Sequence, residues 1–281
     1  MKKKIFVVLL SFILCLSTLV SGAPVILSGK VSDINGNGIF NVDLDFLDPN
    51  GNEVMCGITV CDVNTDAFGN YFIILEQGVY SLAFKPPAGF APKRIDNVSI
   101  LTNTVLNVTL LAGVVFSGNV KDSLNNPVSG VDLNVNNSLT GELFFTPKDN
   151  TDSLGNYSIL IPKGISNITY RRLKVTKLAA LEIKNVNITK DTVINVTVPN
   201  GVVVSGQVFD PMGMPVELVD LDVTKVASGE KIPTPGDNTD NNGIYSIVIP
   251  PGNYDIVYNP PLSSHLSALK LANLTINLDT V

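Results

Sequence analysis

Two stretches 88 residues apart, DNTDSLGNYSILIPKG (149–164) and DNTDNNGIYSIVIPPG (237–252), hold the densest set of groups able to do chemistry in this chain. Asn238, Asp240, Asn242 and Gly243 mimic the opening of an oxygen-ligand loop for calcium, as do Asp33, Asn35, Asn37 and Gly38. Leu154 breaks the first pattern in one copy and Phe68 breaks it in a weaker copy at 63–78, and neither loop closes with a bidentate glutamate. The competing reading is a turn: Asp152 and Asp240 precede Gly155 and Gly243 by three residues, where a carboxylate caps turn amides and glycine takes positive φ. The residues around the phrase all have structural work in that reading, so the turn is preferred and no metal site is expected.

Asp220 and Asp222 stand two apart on one strand face, ~7 Å, a spacing compatible with glycosidase carboxylates. Equivalent acids recur at Asp43 and Asp45, and Asn134 replaces one member after Asp132, which argues for a solvated face. His265, the one histidine, lies beside Ser263 and Ser264 in a proline- and serine-rich loop, with no third group in view to orient it as a base. No catalytic residue and no cofactor are expected. Cys56 and Cys61 are an even pair in an exported chain, and a disulfide is the first reading; a metal site is the rival, which would need more ligands than this chain's single histidine provides.

The elements that must position these groups follow from address and repetition. Residues 1–22 read as a secretory signal peptide: Lys2, Lys3 and Lys4, an apolar run from Ile5 to Leu19, then small residues with cleavage expected after Gly22. Its removal takes the formal charge from −6 to −9 and leaves no integral membrane span in the mature chain. A chain this acidic repels phosphate backbones and anionic membranes, so nucleic acid is not an expected partner. Beyond the leader the chain repeats itself. ILSGKVSD (from 26), VFSGNVKD (from 115) and VVSGQVFD (from 203) each precede a turn-rich stretch and then VDLDF, VDLNV or VDLDV. Period-two alternation of Val, Leu and Phe with Asp and Asn predicts half-buried strands, and no helical period is sustained anywhere. The first repeat is three residues longer between Asp43 and Asn64, where the cysteine pair falls. The fold class expected is all-β: three tandem Ig-like or transthyretin-like antiparallel β-sandwich domains at 24–112, 113–200 and 201–281, following the signal peptide. The joints LLAGV and VPNGV leave little slack, which predicts an end-to-end array with limited swing.

The order SGxVxD, turn, VDLxV, TDxxGxYxxxxPxG and a closing NVT strand resembles the carboxypeptidase regulatory-like domain family, transthyretin-like β-sandwiches grouped with carbohydrate-binding-like folds. The matching residues are Gly118, Asp122, Asp152, Gly155, Tyr157, Pro162 and Gly164, with Gly206, Asp210, Asp240, Gly243, Tyr245, Pro250 and Gly252. The first repeat departs by placing Glu76 where the proline stands. The resemblance implies an accessory, adhesive or binding module and no catalytic domain.

The function expected is a secreted or cell-surface, non-catalytic spacer or adhesion scaffold, with extracellular proteins or glycans as partners. The alternative is a carbohydrate-binding array, accessory to an enzyme, with Phe144, Phe145 and Tyr258 as candidate ligand contacts; the lack of tryptophan weighs against it. A lysine–asparagine isopeptide cross-link through Lys30 and Asn107 is a weaker idea, because Asn119 and Gln207 replace the lysine in the other repeats. Eight Asn-x-Ser/Thr sequons, at Asn97, Asn107, Asn136, Asn156, Asn167, Asn187, Asn195 and Asn273, would matter only in a glycosylating host. Thr280 and Val281 align with Thr192 and Val193, after which the second repeat continues with INVTV. The third repeat is therefore expected to lack its last strand, as in a fragment of a longer protein.

Overall fold

A computed structural model describes residues 24–56, 59–172 and 177–281. The proposed leader at 1–22 lies outside the described residues. Among the described residues the elements are strands, with one 3₁₀ turn at Leu262–Ser264, and no helix is long and apolar enough to cross a membrane.

Alternation in sequence becomes alternation in burial. Leu44 and Phe46 on Asp43–Leu47, Val131, Leu133 and Val135 on Val131–Asn137, and Leu221 and Val223 on Asp220–Lys225 are buried, while the intervening Asp and Asn face outward. These inward rows build three hydrophobic clusters, which fall within 24–112, 113–200 and 201–281.

The same pairing scheme surrounds each cluster. In the first segment Pro24–Ser32 lies antiparallel to Asn70–Glu76, and its other edge takes Thr104–Val105 and Val108–Thr109 in parallel. The facing sheet runs Asp62–Asn64, Asp43–Leu47, Gly78–Lys85, Lys93–Ile100. In the second segment Gly113–Lys121 lies between Asn156–Pro162 (antiparallel) and Thr192–Val193 with Val196–Thr197 (parallel), opposite the sheet Val131–Asn137, Gly164–Arg172, Leu181–Ile188. In the third, Val202–Gln207 pairs with Ile244–Ile249, opposite Lys231–Ile232, Asp220–Lys225, Gly252–Asn259, Leu269–Ile276. The antiparallel sheets expected from sequence are present, and one edge of each segment adds a parallel pairing. The closing strand crosses over from the opposite sheet and arrives running in the same direction as the first strand.

The joints are held by backbone. Ala91 N–H donates to Leu111 O (2.9 Å) and Gly113 N–H to Gly89 O (2.9 Å), so the loop at 89–91 fastens the start of the second segment. The second joint repeats this with Ala179 N–H to Pro199 O (2.9 Å) and Gly201 N–H to Lys177 O (2.8 Å).

Candidate functional site

The second aspartate of each repeated phrase, Asp152 or Asp240, is closed into a turn, while the first, Asp149 or Asp237, accepts the hydroxyl of Thr146 or Thr234. In Asp152, Oδ1 accepts the amides of Leu154 (2.9 Å) and Asn156 (2.8 Å), while Oδ2 accepts Asn156 Nδ2 (3.2 Å). The Asp152 amide donates to Asn156 O, and the Gly155 amide returns to Asp152 O. Gly155 sits at φ 77°, the left-handed region where a side chain would be strained. Asp33, Asp48, Asp66, Asp122, Asp210 and Asp240 receive the same pair of amides from residues two and four further on. Asn37, Asn52, Asn70 and Asn126 also add their side-chain amides, as Asn156 does. These bonds from the residue four positions on hold the carboxyls of Asp33, Asp48, Asp66, Asp122 and Asp152 below the usual range. Each carboxylate is thus directed at its own turn. No group of three or more His, Cys, Asp or Glu able to hold a metal occurs among the described residues.

A second device escaped sequence reading. The threonine just before each of three turn aspartates is buried and ties two chain passages together. Thr65 Oγ1 donates to Ile39 O (2.6 Å) and accepts from the Val42 amide (2.8 Å). Thr151 joins Val128 O to the Val131 amide, and Thr239 joins Val216 O to the Val219 amide. The signal was available, since NTD stands unchanged at 64–66, 150–152 and 238–240.

The acidic face is paired across strands: Asp43 and Asp45 with Lys85, Asp132 with Arg171, and Asp222 with Lys231 and Asn259. His265 is exposed at the end of the 3₁₀ turn, and Ser264 Oγ donates to Pro261 O (2.7 Å). Lys30 Nζ donates to Gly36 O (2.8 Å), whereas the Lys30 backbone amide donates to Asn107 Oδ1 (2.9 Å); the cross-link idea has its lysine turned elsewhere. Cys61 is buried in the first core, and the side chain of Cys56 lies outside the described residues. Phe144 and Phe145 are half-buried and line a surface groove of about 520 Å³ with Arg94, Leu111, Thr146 and Asp149. Burial raises the Asp149 carboxyl above its ordinary value. Tyr258 is only 9% exposed, with its hydroxyl 2.9 Å from that of Tyr245. The structure does not bring it near the two phenylalanines: it belongs to the third core and borders a different groove.

That second groove, about 900 Å³, lies against Val202–Gln207 and is the site with the most distinctive construction. In the first two segments the corresponding space is filled. Tyr71 donates to Leu106 O (2.7 Å) and Tyr157 to Ile194 O (2.6 Å), and Val108, Leu110, Val196 and Val198 are buried against the core. Burial pushes the Tyr157 hydroxyl up to about 12. In the third segment the parallel pairing consists of the single Val204–Thr280 bridge. Gly206, Val208, Phe209, Tyr245, Leu269 and Leu271 line the groove that lies beyond it.

No family model matches the chain, and no curated protein matches it. Solved structures with detectable likeness include the Bacillus anthracis TIE protein (13% identity, TM-score 0.29, covering 92% of this chain and 49% of that one). Others are BcpA, the major pilin subunit of Bacillus cereus (11%, TM-score 0.26, 92% and 97%), and shaft pilin SpaA from Lactobacillus rhamnosus GG (12%, TM-score 0.26, 63% and 97%). The chain spans about half the length of the TIE protein. At such identities and superpositions the likeness carries no argument about function.

Proposed function

We propose that this chain is an exported, non-enzymatic array of three β-sandwich domains, at 24–112, 113–200 and 201–281, that spaces or scaffolds partners at the cell surface or outside the cell. The observation that carries the reading is the fate of the polar side chains. The aspartates, asparagines and threonines with chemical potential are spent on the same turn and the same strand tie again and again. Backbone bonds at both joints support limited swing between neighbours. In this reading residues 1–22 are the export leader, and the motif resemblance to carboxypeptidase regulatory-like domains concerns fold. Cys56 and Cys61 form a disulfide that clamps the longer loop of the first domain, where Met55 pairs with Val60 and Cys56 with Thr59.

Small-angle scattering of the secreted chain tests it. Three sandwiches end to end, each ~30–40 Å long, make a rod of ~100 Å with a radius of gyration of ~30 Å. A single compact body of this length would give ~18 Å, and that value would overturn the reading.

A glycan-binding role is the second reading, favoured by the groove that Phe144 and Phe145 line with Arg94 and Asp149. Glycan-array binding lost on Phe144→Ala and Phe145→Ala would support it, and an array without hits would remove it.

A further inference from the structure

We infer that the outer face of the first segment's sheet, centred on Phe72, packs against the same face of a second copy of this chain, with the strands of the two copies running in opposite directions. Strand register builds the face. Ile26 stands opposite Ile74 and Ser28 opposite Phe72, while Val105 comes beside Ser28 from the other edge. Val25, Leu27, Tyr71 and Leu75 turn into the core, so alternation sends Ile26, Phe72 and Ile74 outward. Their exposures are 39%, 60% and 54%, and that of Val105 is 72%.

A sheet with one wet face ordinarily carries polar residues there. The other two segments do so at the centre, where Ser158 and Ser246 hold the position of Phe72, opposite Ser117 and Ser205. That position stays uncovered when a neighbouring segment is present. The second segment has one before it, yet Ser158 is exposed and Val193, the match of Val105, is 70% exposed. The apolar centre of the first face therefore comes from the residue type at 72.

Size and charge select a second copy as the occupant. The four side chains offer roughly 400 Å² of exposed surface, the scale at which an apolar patch marks an interaction site. Two such faces with their polar rims bury about 1,000 Å² in all, the floor for a specific interface, so the pair is weak and concentration-dependent. A twofold contact also requires the patch to complement itself. Glu76 bounds it at one end, beside Pro24, and Lys30 bounds it at the other, beside Asn70. With strands in the same direction Lys30 would come level with Lys30. With strands reversed, each Lys30 comes level with Glu76 of the other copy, and opposite charges meet at both ends. Stacked sheets lie ~10 Å apart, a gap that the lysine stem can cross from the rim. Lys30 Nζ otherwise holds Gly36 O, a surface bond that it can exchange.

Sedimentation equilibrium of the mature chain across the micromolar range tests this. Expected is a reversible monomer–dimer equilibrium, half-associated at tens of micromolar. Phe72→Ser, which installs the residue found at 158 and 246, weakens association at least about tenfold and leaves the melting temperature of the monomer unchanged. Lys30→Glu weakens it severalfold, and adding Glu76→Lys in the same chain restores it, which strands in the same direction would not allow. A chain still monomeric at hundreds of micromolar overturns the inference, as does a dimer indifferent to Phe72→Ser or a charge exchange that fails to restore association. A monomer that instead binds phosphatidylcholine vesicles through Phe72 also overturns it.

Discussion

The second and third segments differ at one edge and agree nearly everywhere else. Phe116–Ser117 pairs with Thr192–Val193 as Val204 pairs with Thr280, and both segments carry the paired tyrosine hydroxyls, Tyr157 with Tyr170 and Tyr245 with Tyr258, at 2.9 Å. In the second, Val196 and Val198 cover the core, and Tyr170 is 0% exposed where Tyr258 of the third is 9% exposed. The recurring residues specify corners and inward rows, and the closing strand adds burial on top of them.

The largest effect that can break this comparison comes from one substitution made twice. Gly118→Ala drives a Cβ into the Ile194 backbone carbonyl and should destabilise the second segment by ~3 kcal/mol, whereas Gly206→Ala meets the hydroxyl and ring of the buried Tyr245, which can shift where a strand carbonyl cannot, and should cost less, ~1–2 kcal/mol. Equal losses in melting experiments would erase the difference between the segments.

Next come the threonine ties. Thr151→Val leaves Val128 O and the Val131 amide without their buried partner and should cost ~2 kcal/mol. Thr239→Val should cost about the same, because the tie is remote from the edge at which the segments differ. Chemical denaturation of both variants checks this, and a loss confined to one of them would sharpen where the two segments part.

A smaller effect is acid sensitivity. Asp33, Asp48, Asp66, Asp122 and Asp152 have folded carboxyl pKa values held low by turn hydrogen bonds. Their contribution is complete above the ordinary carboxylate value of ~4 and is lost as pH falls through the lowered folded values. Melting temperature should decline from pH 5 to pH 2, and replacing these five by Asn should flatten the decline. A decline as steep in the substituted chain would place the acid-sensitive groups elsewhere.

The smallest is the Lys177–Asp279 ion pair (2.6 Å) between the second and third segments. Both ends are largely exposed, so Lys177→Ala should change stability by less than ~1 kcal/mol, with the difference vanishing in high salt.

Much of this architecture was legible in the sequence because strands announce themselves by period two and turns by their residue types. Val131, Leu133 and Val135 could be assigned inward from alternation alone, and Asp152 with Gly155 could be assigned to a turn because both partners of the turn lie within five residues. What escaped depends on distant partners. The role of Thr151 requires Val128 and Val131, and the need for glycine at 118 requires Ile194, 76 residues on. Parallel entry of the closing strand is likewise a property of the crossover, which local pattern does not encode. Tyr258 is a different case. Tyr254, Ile256 and Tyr258 alternate on one strand and are all buried, so the same period-two rule that placed the valines would have turned this tyrosine inward.

The central claim is that the repeated aspartates build corners and bind no ion. Calorimetric titration of the mature chain with calcium, after dialysis against a chelator, tests it most directly. The account predicts no stoichiometric heat and no change in melting temperature at millimolar calcium; uptake of one ion per repeated turn, with a rise in melting temperature abolished by Asp152→Asn and Asp240→Asn, would contradict it.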